Sequence, residues 1–129
     1  QPVGQFSDAN LIKFNQSSYG TAADSWAPEG YIYIPTACKT GGCKLHIAFH
    51  GCVQSPLYVQ KAFVVNAGFN AWAESNRLVI LDPSMQSKIG NPLACWDWFG
   101  YTNANYANRD GVQIKALLKM IQRLESPVE

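Results

Sequence analysis

The sequence predicts an α/β fold: a single three-layer αβα sandwich with a small mixed sheet, formed by residues 1–129 as one domain. Three observations carry that expectation. Short runs of β-branched and aromatic residues recur along the chain, each bounded by Gly, Pro or Asn. Between two of them lies a stretch with apolar residues at helical spacing. A second amphipathic stretch closes the chain.

The elements follow in order. Leu11-Ile12-Lys13-Phe14 reads as a strand, ending in the polar turn Asn15 to Gly20. Tyr31-Ile32-Tyr33-Ile34 is a second strand, stopped by Pro35, which cannot donate to a ladder. Thr40-Gly41-Gly42 marks a turn before a third strand, Lys44 to Phe49. From Leu57 to Asn76 the residues Phe63, Val64, Ala67, Ala71 and Trp72 share one helical face, weakened at Gly68 by about 1 kcal/mol relative to Ala. Leu78 to Asp82 is a fourth strand, broken by Pro83, so the span from Lys44 to Asp82 reads as a βαβ crossover with parallel strands. Ser84 to Asn108 is irregular. The last helix begins at Asp110 or Gly111 and runs to about Glu125, before Pro127. Its expected apolar stripe is Val112, Ile114, Leu117, Leu118, Ile121 and Leu124.

Composition narrows the partners. Hydrophobic residues make up 47% of the chain and charged ones 15%, which excludes a disordered or coiled-coil sequence. The formal net charge is +1 and the basic residues are scattered from Lys13 to Arg123, so no nucleic acid is expected as partner. Apolar runs such as Leu78-Val79-Ile80-Leu81 are too short for membrane insertion. The acidic residues form no calcium-type loop, and the two histidines are not spaced to complete a zinc site with Cys38 and Cys43. No metal and no cofactor are expected.

Four cysteines in a chain of this size point to an oxidising compartment and a secreted protein. Of three possible connectivities, Cys38–Cys43 around Thr-Gly-Gly and Cys52–Cys95 is the one favoured. The longer bridge would stabilise by about 4 kcal/mol and the shorter by about 2. Asn15-Gln16-Ser17 is a glycosylation sequon, making Asn15 the acceptor of a glycoprotein. The chain opens at Gln1, as a processed N-terminus would.

Ligands of open α/β sheets bind beyond the carboxyl ends of the parallel strands. Here those ends are His50-Gly51-Cys52 and Asp82-Pro83-Ser84, and a Cys52–Cys95 bridge would bring Cys95-Trp96-Asp97-Trp98-Phe99-Gly100-Tyr101 to the same rim. The candidates gathered there are His50, Gln54, Asp82, Ser84, Trp96, Asp97, Trp98, Tyr101, Asn103 and Asn105. Rings beside amides and carboxylates suit a sugar, the rings stacking on its C–H face and the polar groups binding its hydroxyls. Duller duties compete: Trp96 and Trp98 could both face the core with Asp97 outward, or Asp97 could tie down its own loop. His50 could satisfy a backbone carbonyl, and Tyr101, Asn103 and Asn105 could solvate a turn. A Ser84, His50 and Asp97 or Asp82 triad can be written on paper, but Ser84 lacks the glycine-flanked elbow of an exposed nucleophile. No G-x-S-x-G occurs in the 129 residues.

Four separated motifs then become informative together. His50-Gly51-Cys52-x-Gln54, Asn66-Ala67-Gly68-Phe69-Asn70-x-Trp72-Ala73, the strand before Pro83, and Asn91-Pro92-x-x-Cys95-Trp96-Asp97-Trp98 resemble secreted polyhydroxyalkanoate depolymerases, from about Tyr19 to Leu124. The resemblance is strongest to the fungal, circularly permuted members, and implies a relation to part of an α/β-hydrolase fold. It carries over the oxyanion-loop position Cys52 and the Trp-rich wall. No position here matches the family's catalytic serine, aspartate or histidine. In size, single sequon and α/β content the chain also resembles small secreted mushroom lectins, antiviral proteins that bind N-acetylgalactosamine-containing glycans.

The function read from this sequence is accordingly a metal-independent, non-enzymatic lectin. It would bind glycans or glycoproteins on cell surfaces through His50, Asp97, Trp98, Tyr101 and Asn103, and the avidity lectins gain from several sites makes a homodimer a reasonable assembly. The alternative is a fragment or degenerate member of the depolymerase and esterase family.

Overall fold

The structure, a computed structural model, describes residues 3–126; the expectations about Gln1 and Pro127 lie outside them. Four strands, β1 (Leu11–Asn15), β2 (Glu29–Tyr33), β3 (Lys44–Ile47) and β4 (Leu78–Asp82), form one mixed sheet in the order β1-β2-β4-β3. β1 pairs antiparallel with β2, and β2 antiparallel with β4. β3 and β4 are parallel, as the crossover reading requires.

The expected helix from Leu57 to Asn76 is instead three short ones: α1 (Pro56–Val59), α2 (Ala62–Asn66) and α3 (Phe69–Asn76). Two backbone conformations cut it. Gln60 after α1 and Gly68 before α3 both take positive φ, at 51° and 90°. Neither can continue a right-handed helix. The last helix, α4 (Val112–Glu125), starts and ends where the sequence places it.

Helices lie on both faces of the sheet. On one face Tyr33 and Ile80 pack with Ala48 and with Ala73 of α3. On the other, Ile32 and Leu81 pack with Trp26, Met85, Ala94 and with Ala116 and Met120 of α4. The buried side of α4 thus differs from the expected aliphatic stripe. Gln113, Ala116 and Met120 are buried, whereas Leu118 and Leu124 are 42% and 41% exposed. Gln113 is held inward by partners distant in the sequence, the Asp24 carbonyl, the Asp97 amide and the Tyr101 hydroxyl, which sets the rotation of the helix.

Polar ties brace the layers. Tyr33 Oη donates to Glu74 Oε1 at 2.5 Å and accepts from the Ser7 amide at 3.0 Å, joining β2 to α3 and to the chain before β1. Fully buried Gln16 donates from Nε2 to the carbonyls of Ala27 and Ser84, and its Oε1 accepts from the Ser84 amide. A Cβ on Gly30 would meet that Oε1 at 2.3 Å, so only glycine lets Gln16 sit there. Gln16 therefore holds the segment after β4 to the end of β1. Disulfides join Cys38 to Cys43 and Cys52 to Cys95.

Removing Gln16 takes the partner from the Ala27 carbonyl and the Ser84 amide, while the Ser84 carbonyl keeps the Ala27 amide. Gln16→Ala is expected to cost about 2–4 kcal/mol, seen as a fall in the urea midpoint at unchanged slope. An unmoved midpoint would show that Gln16 does not brace the sheet.

Candidate active site

The rim at the carboxyl ends of β3 and β4 is built from three loops: His50 to Ser55 after β3, Pro83 to Gln86 after β4, and Asn91 to Thr102. The second runs antiparallel to Ser25–Ala27 through a bridge between Trp26 and Met85. The Cys52–Cys95 disulfide joins the first to the third, helped by the Val53 amide donating to the Leu93 carbonyl at 2.8 Å. Asn91 stiffens the third loop, donating to the Cys95 carbonyl and accepting from the Cys95 amide.

His50 is 4% exposed and both its ring nitrogens are committed. Nε2 accepts from the Met85 amide at 3.0 Å, so Nδ1 carries the proton and donates to the Gly51 carbonyl at 2.8 Å. Burial lowers its pKa, which keeps the ring neutral. His50 is a strut between two loops, with no nitrogen left for a sugar or for proton transfer.

Asp97 is turned into its own loop, not toward solvent. Its Oδ1 accepts from the amides of Phe99, Gly100 and Tyr101, and its Oδ2 from the amide and hydroxyl of Thr102. Burial pushes this carboxyl up, but the hydrogen bonds from Thr102, Gly100 and Tyr101 outweigh it and hold the pKa below the ordinary value. Tyr101 is spent as well, donating to the Cys95 carbonyl and accepting from Gln113 Nε2, both at 2.7 Å. Asn103 Oδ1 accepts from the Asn105 amide, a turn-forming contact. Asn15 lies exposed at the end of β1.

The two tryptophans part company. Trp96 packs edge-on against Trp26 and Phe49, with ring centroids at 5.4 and 4.9 Å. Trp98 is 71% exposed. Of the five residues expected to hold a glycan, the structure leaves only Trp98 with a face and no internal duty. The paper triad does not assemble either, because His50 and Asp97 are committed elsewhere and Ser84 is 1% exposed with its backbone bound to Gln16.

What the rim does offer is a backbone donor. The amides of Gly51, Val53 and Gln54 all have partners: Gln54 Oε1 at 2.7 Å, the Leu93 carbonyl at 2.8 Å and the Gly51 carbonyl at 3.2 Å. Among the described residues, the Cys52 amide between them has none, and Cys52 is exposed. Val53 holds φ at 55°, a left-handed conformation that a β-branched residue adopts only under constraint. On the three rim loops and the residues next to them, Phe49, Val53, Leu57, Leu93, Trp98 and Phe99 are exposed apolar side chains. Apart from the tryptophan, these residues carry no sequence signal of a site, since they lie in loops or at element ends without periodicity.

The rim thus carries a backbone amide without a partner among the described residues, on a loop held on both sides. The chain is similar to PHB depolymerases in sequence and in fold. It is 42% identical over 120 residues to the poly(3-hydroxybutyrate) depolymerase of Delftia acidovorans, matching 91% of this chain and 24% of that protein. The polyhydroxybutyrate depolymerase of Talaromyces funiculosus is 34% identical over 131 residues, matching 91% of this chain and 38% of that one. Among solved structures, the PHB depolymerase from Penicillium funiculosum superposes with a TM-score of 0.87 at 31% identity, over 95% of this chain and 42% of its own. A PHB depolymerase complexed with an R3HB trimer gives 0.82 at 34% identity, over 88% and 39%. No protein-family model matches the chain. The chain therefore spans well under half of each of these depolymerases. The likeness is to ester hydrolases and lends no support to the lectin reading. Among the described residues no cluster of His, Cys, Asp and Glu could hold a metal, and no helix is long and apolar enough to cross a membrane.

One carboxyl at the rim is unusual. Asp82 is 3% exposed, its Oδ2 has no partner, and burial pushes its pKa up to about 7. The folded state thus holds this proton more tightly than the unfolded chain, so stability falls as pH rises from about 4 through 7. Asp82→Asn is expected to flatten that fall and to stabilise the protein at pH 8 by up to about 4 kcal/mol. Thermal midpoints of both proteins at several pH values check it; parallel curves would mean that Asp82 titrates normally.

Proposed function

We propose that this chain supplies the oxyanion side and the acyl-chain wall of an ester hydrolase for polyhydroxyalkanoate-type polyesters. In this reading the nucleophile comes from polypeptide outside the 129 residues. The observation that carries it is the uncommitted Cys52 amide. Attack on an ester carbonyl drives negative charge onto its oxygen, and a fixed N–H aimed at that position lowers the barrier. One such donor contributes about 3 kcal/mol to the transition state. The loop cannot swing away, because Gln54, the disulfide and the Val53–Leu93 hydrogen bond hold the residues on either side. The exposed rings of Trp98 and Phe99 and the side chains of Val53 and Leu93 suit a substrate whose repeat unit is an ester with an aliphatic branch. The depolymerase likeness at 34% and 42% identity supports the same class of substrate. Two disulfides fit an oxidising, extracellular setting.

The chain itself can be tested with a 3-hydroxybutyrate trimer, followed by amide chemical shifts. The largest changes are expected at Cys52 and its neighbours, with Trp98 and Phe99 following. Changes confined to other surfaces, or appearing only with N-acetylgalactosamine, would sink the reading. The isolated chain should hydrolyse a nitrophenyl ester no faster than buffer, and Ser84→Ala should change nothing. Turnover abolished by Ser84→Ala would place the nucleophile in this chain and overturn the division of labour.

A further inference from the structure

Gln54 is an exposed side chain held in one conformation. Its Oε1 accepts from the Gly51 amide at 2.7 Å, and its backbone amide donates to the Gly51 carbonyl at 3.2 Å. One residue thus grips Gly51 from both sides and closes the turn over Cys52 and Val53. The space for this is made at position 51. A Cβ on Gly51 would meet Gln54 Oε1 at 2.8 Å and Cδ at 3.3 Å. Gly51 is not among the glycines with positive φ, so the turn needs glycine there for room and not for its backbone conformation.

The bond to Gly51 also settles which way the carboxamide faces. A backbone N–H only donates, so the oxygen end must face Gly51; a flipped amide would set donor against donor. The Nε2 end is turned away from that contact, and among the described residues its two N–H groups have no partner. Holding the loop needs only an acceptor, which a carboxylate would also supply. The amide adds donors that the loop does not use. A long side chain ordinarily loses rotamer freedom when it grips a ligand. Here that freedom is already gone, and the Val53–Leu93 hydrogen bond and the Cys52–Cys95 disulfide fasten the same loop. One short turn therefore presents two uncommitted donors, the Cys52 amide and the Gln54 carboxamide.

We infer that Gln54 is a substrate-contacting residue that selects oligomeric esters, its Nε2 donating to a carbonyl or hydroxyl oxygen of the repeat unit next to the ester held at the Cys52 amide. A polyester of hydroxy acids carries a carbonyl acceptor in every repeat, so a chain lying across the turn can satisfy both donors at once. An ester with a single carbonyl has no second unit to offer. The inference rests on the proposed function for the ester held at Cys52, and its test reads the two donors separately.

The test follows the backbone amides and the Gln54 side-chain NH2 signal of the 129-residue protein by NMR. The protein is titrated with the uncharged methyl ester of a 3-hydroxybutyrate trimer and, separately, with ethyl butyrate. The trimer ester is expected to shift both the Cys52 amide and the Gln54 NH2, and ethyl butyrate the Cys52 amide alone. Gln54→Glu keeps an oxygen for Gly51 and removes both N–H donors. It should weaken the trimer ester about tenfold and leave ethyl butyrate within about twofold of the parent. Its Gly51 amide should stay as protected from exchange as in the parent, whereas Gln54→Leu, which loses the oxygen as well, should expose it. A Gln54 NH2 signal indifferent to the trimer ester would overturn the contact. So would a Gln54→Glu protein that binds the trimer ester like the parent, or one that loses both ligands equally, since Gln54 would then only brace the loop. Trimer-induced shifts at Gln54 with a silent Cys52 amide keep the Gln54 contact and remove the proposed function. Shifts at Cys52 with a silent Gln54 do the reverse.

Discussion

The covalent link between Cys52 and Cys95 is the constraint on which the rim depends. It spans 43 residues of sequence and pulls the Trp-rich loop down onto the end of β3. Gly51 and Gln54 bond to each other within the Cys52 loop, Val53 bonds across it to Leu93, and the Cys52 amide has no partner among the described residues. The short Cys38–Cys43 bridge has no comparable reach: it closes a turn at the far end of the sheet.

A second layer of order is polar and local. Asp97 collects four amides and a hydroxyl from the five residues that follow it, and Gln113 reaches from α4 to the Asp24 carbonyl, the Asp97 amide and the Tyr101 hydroxyl. These contacts commit the carboxylate of Asp97 and the hydroxyl of Tyr101 to the protein's own backbone and to Gln113. The polar residues of the rim build a rigid wall, and what the wall presents outward is apolar.

Much of the fold is legible in the sequence because strands, turns and the last helix announce themselves locally. Runs such as Leu78 to Asp82 before Pro83 leave little choice, and the parallel pairing of β3 and β4 follows from the length of the segment between them. The break-up of the middle helix is only half legible. Gly68 marks a weak point, but Gln60 carries no sign that its φ will be positive, since tertiary packing selects that conformation. The rotation of α4 is hidden for the same reason: nothing in the sequence says that Gln113 will be buried by distant polar partners in preference to Leu118. For the site, the residue types at the rim are readable and their duties are not. Whether Asp97 faces a ligand or its own backbone depends on a loop path that no periodicity encodes. Cys52 is found through motif resemblance, and its free amide only through the hydrogen bonds of its neighbours.

Five described residues other than glycine hold positive φ, and two of them flank the long disulfide: Val53 just after Cys52, and Ala94 just before Cys95. Each costs of order 1 kcal/mol relative to glycine in the same conformation. A protein selected for durability alone would have glycine at both positions. Valine and alanine leave the unfolded chain fewer backbone conformations at these two positions than glycine would. Glycine at these two positions would relieve that local backbone cost while loosening the unfolded chain on either side of the bridge.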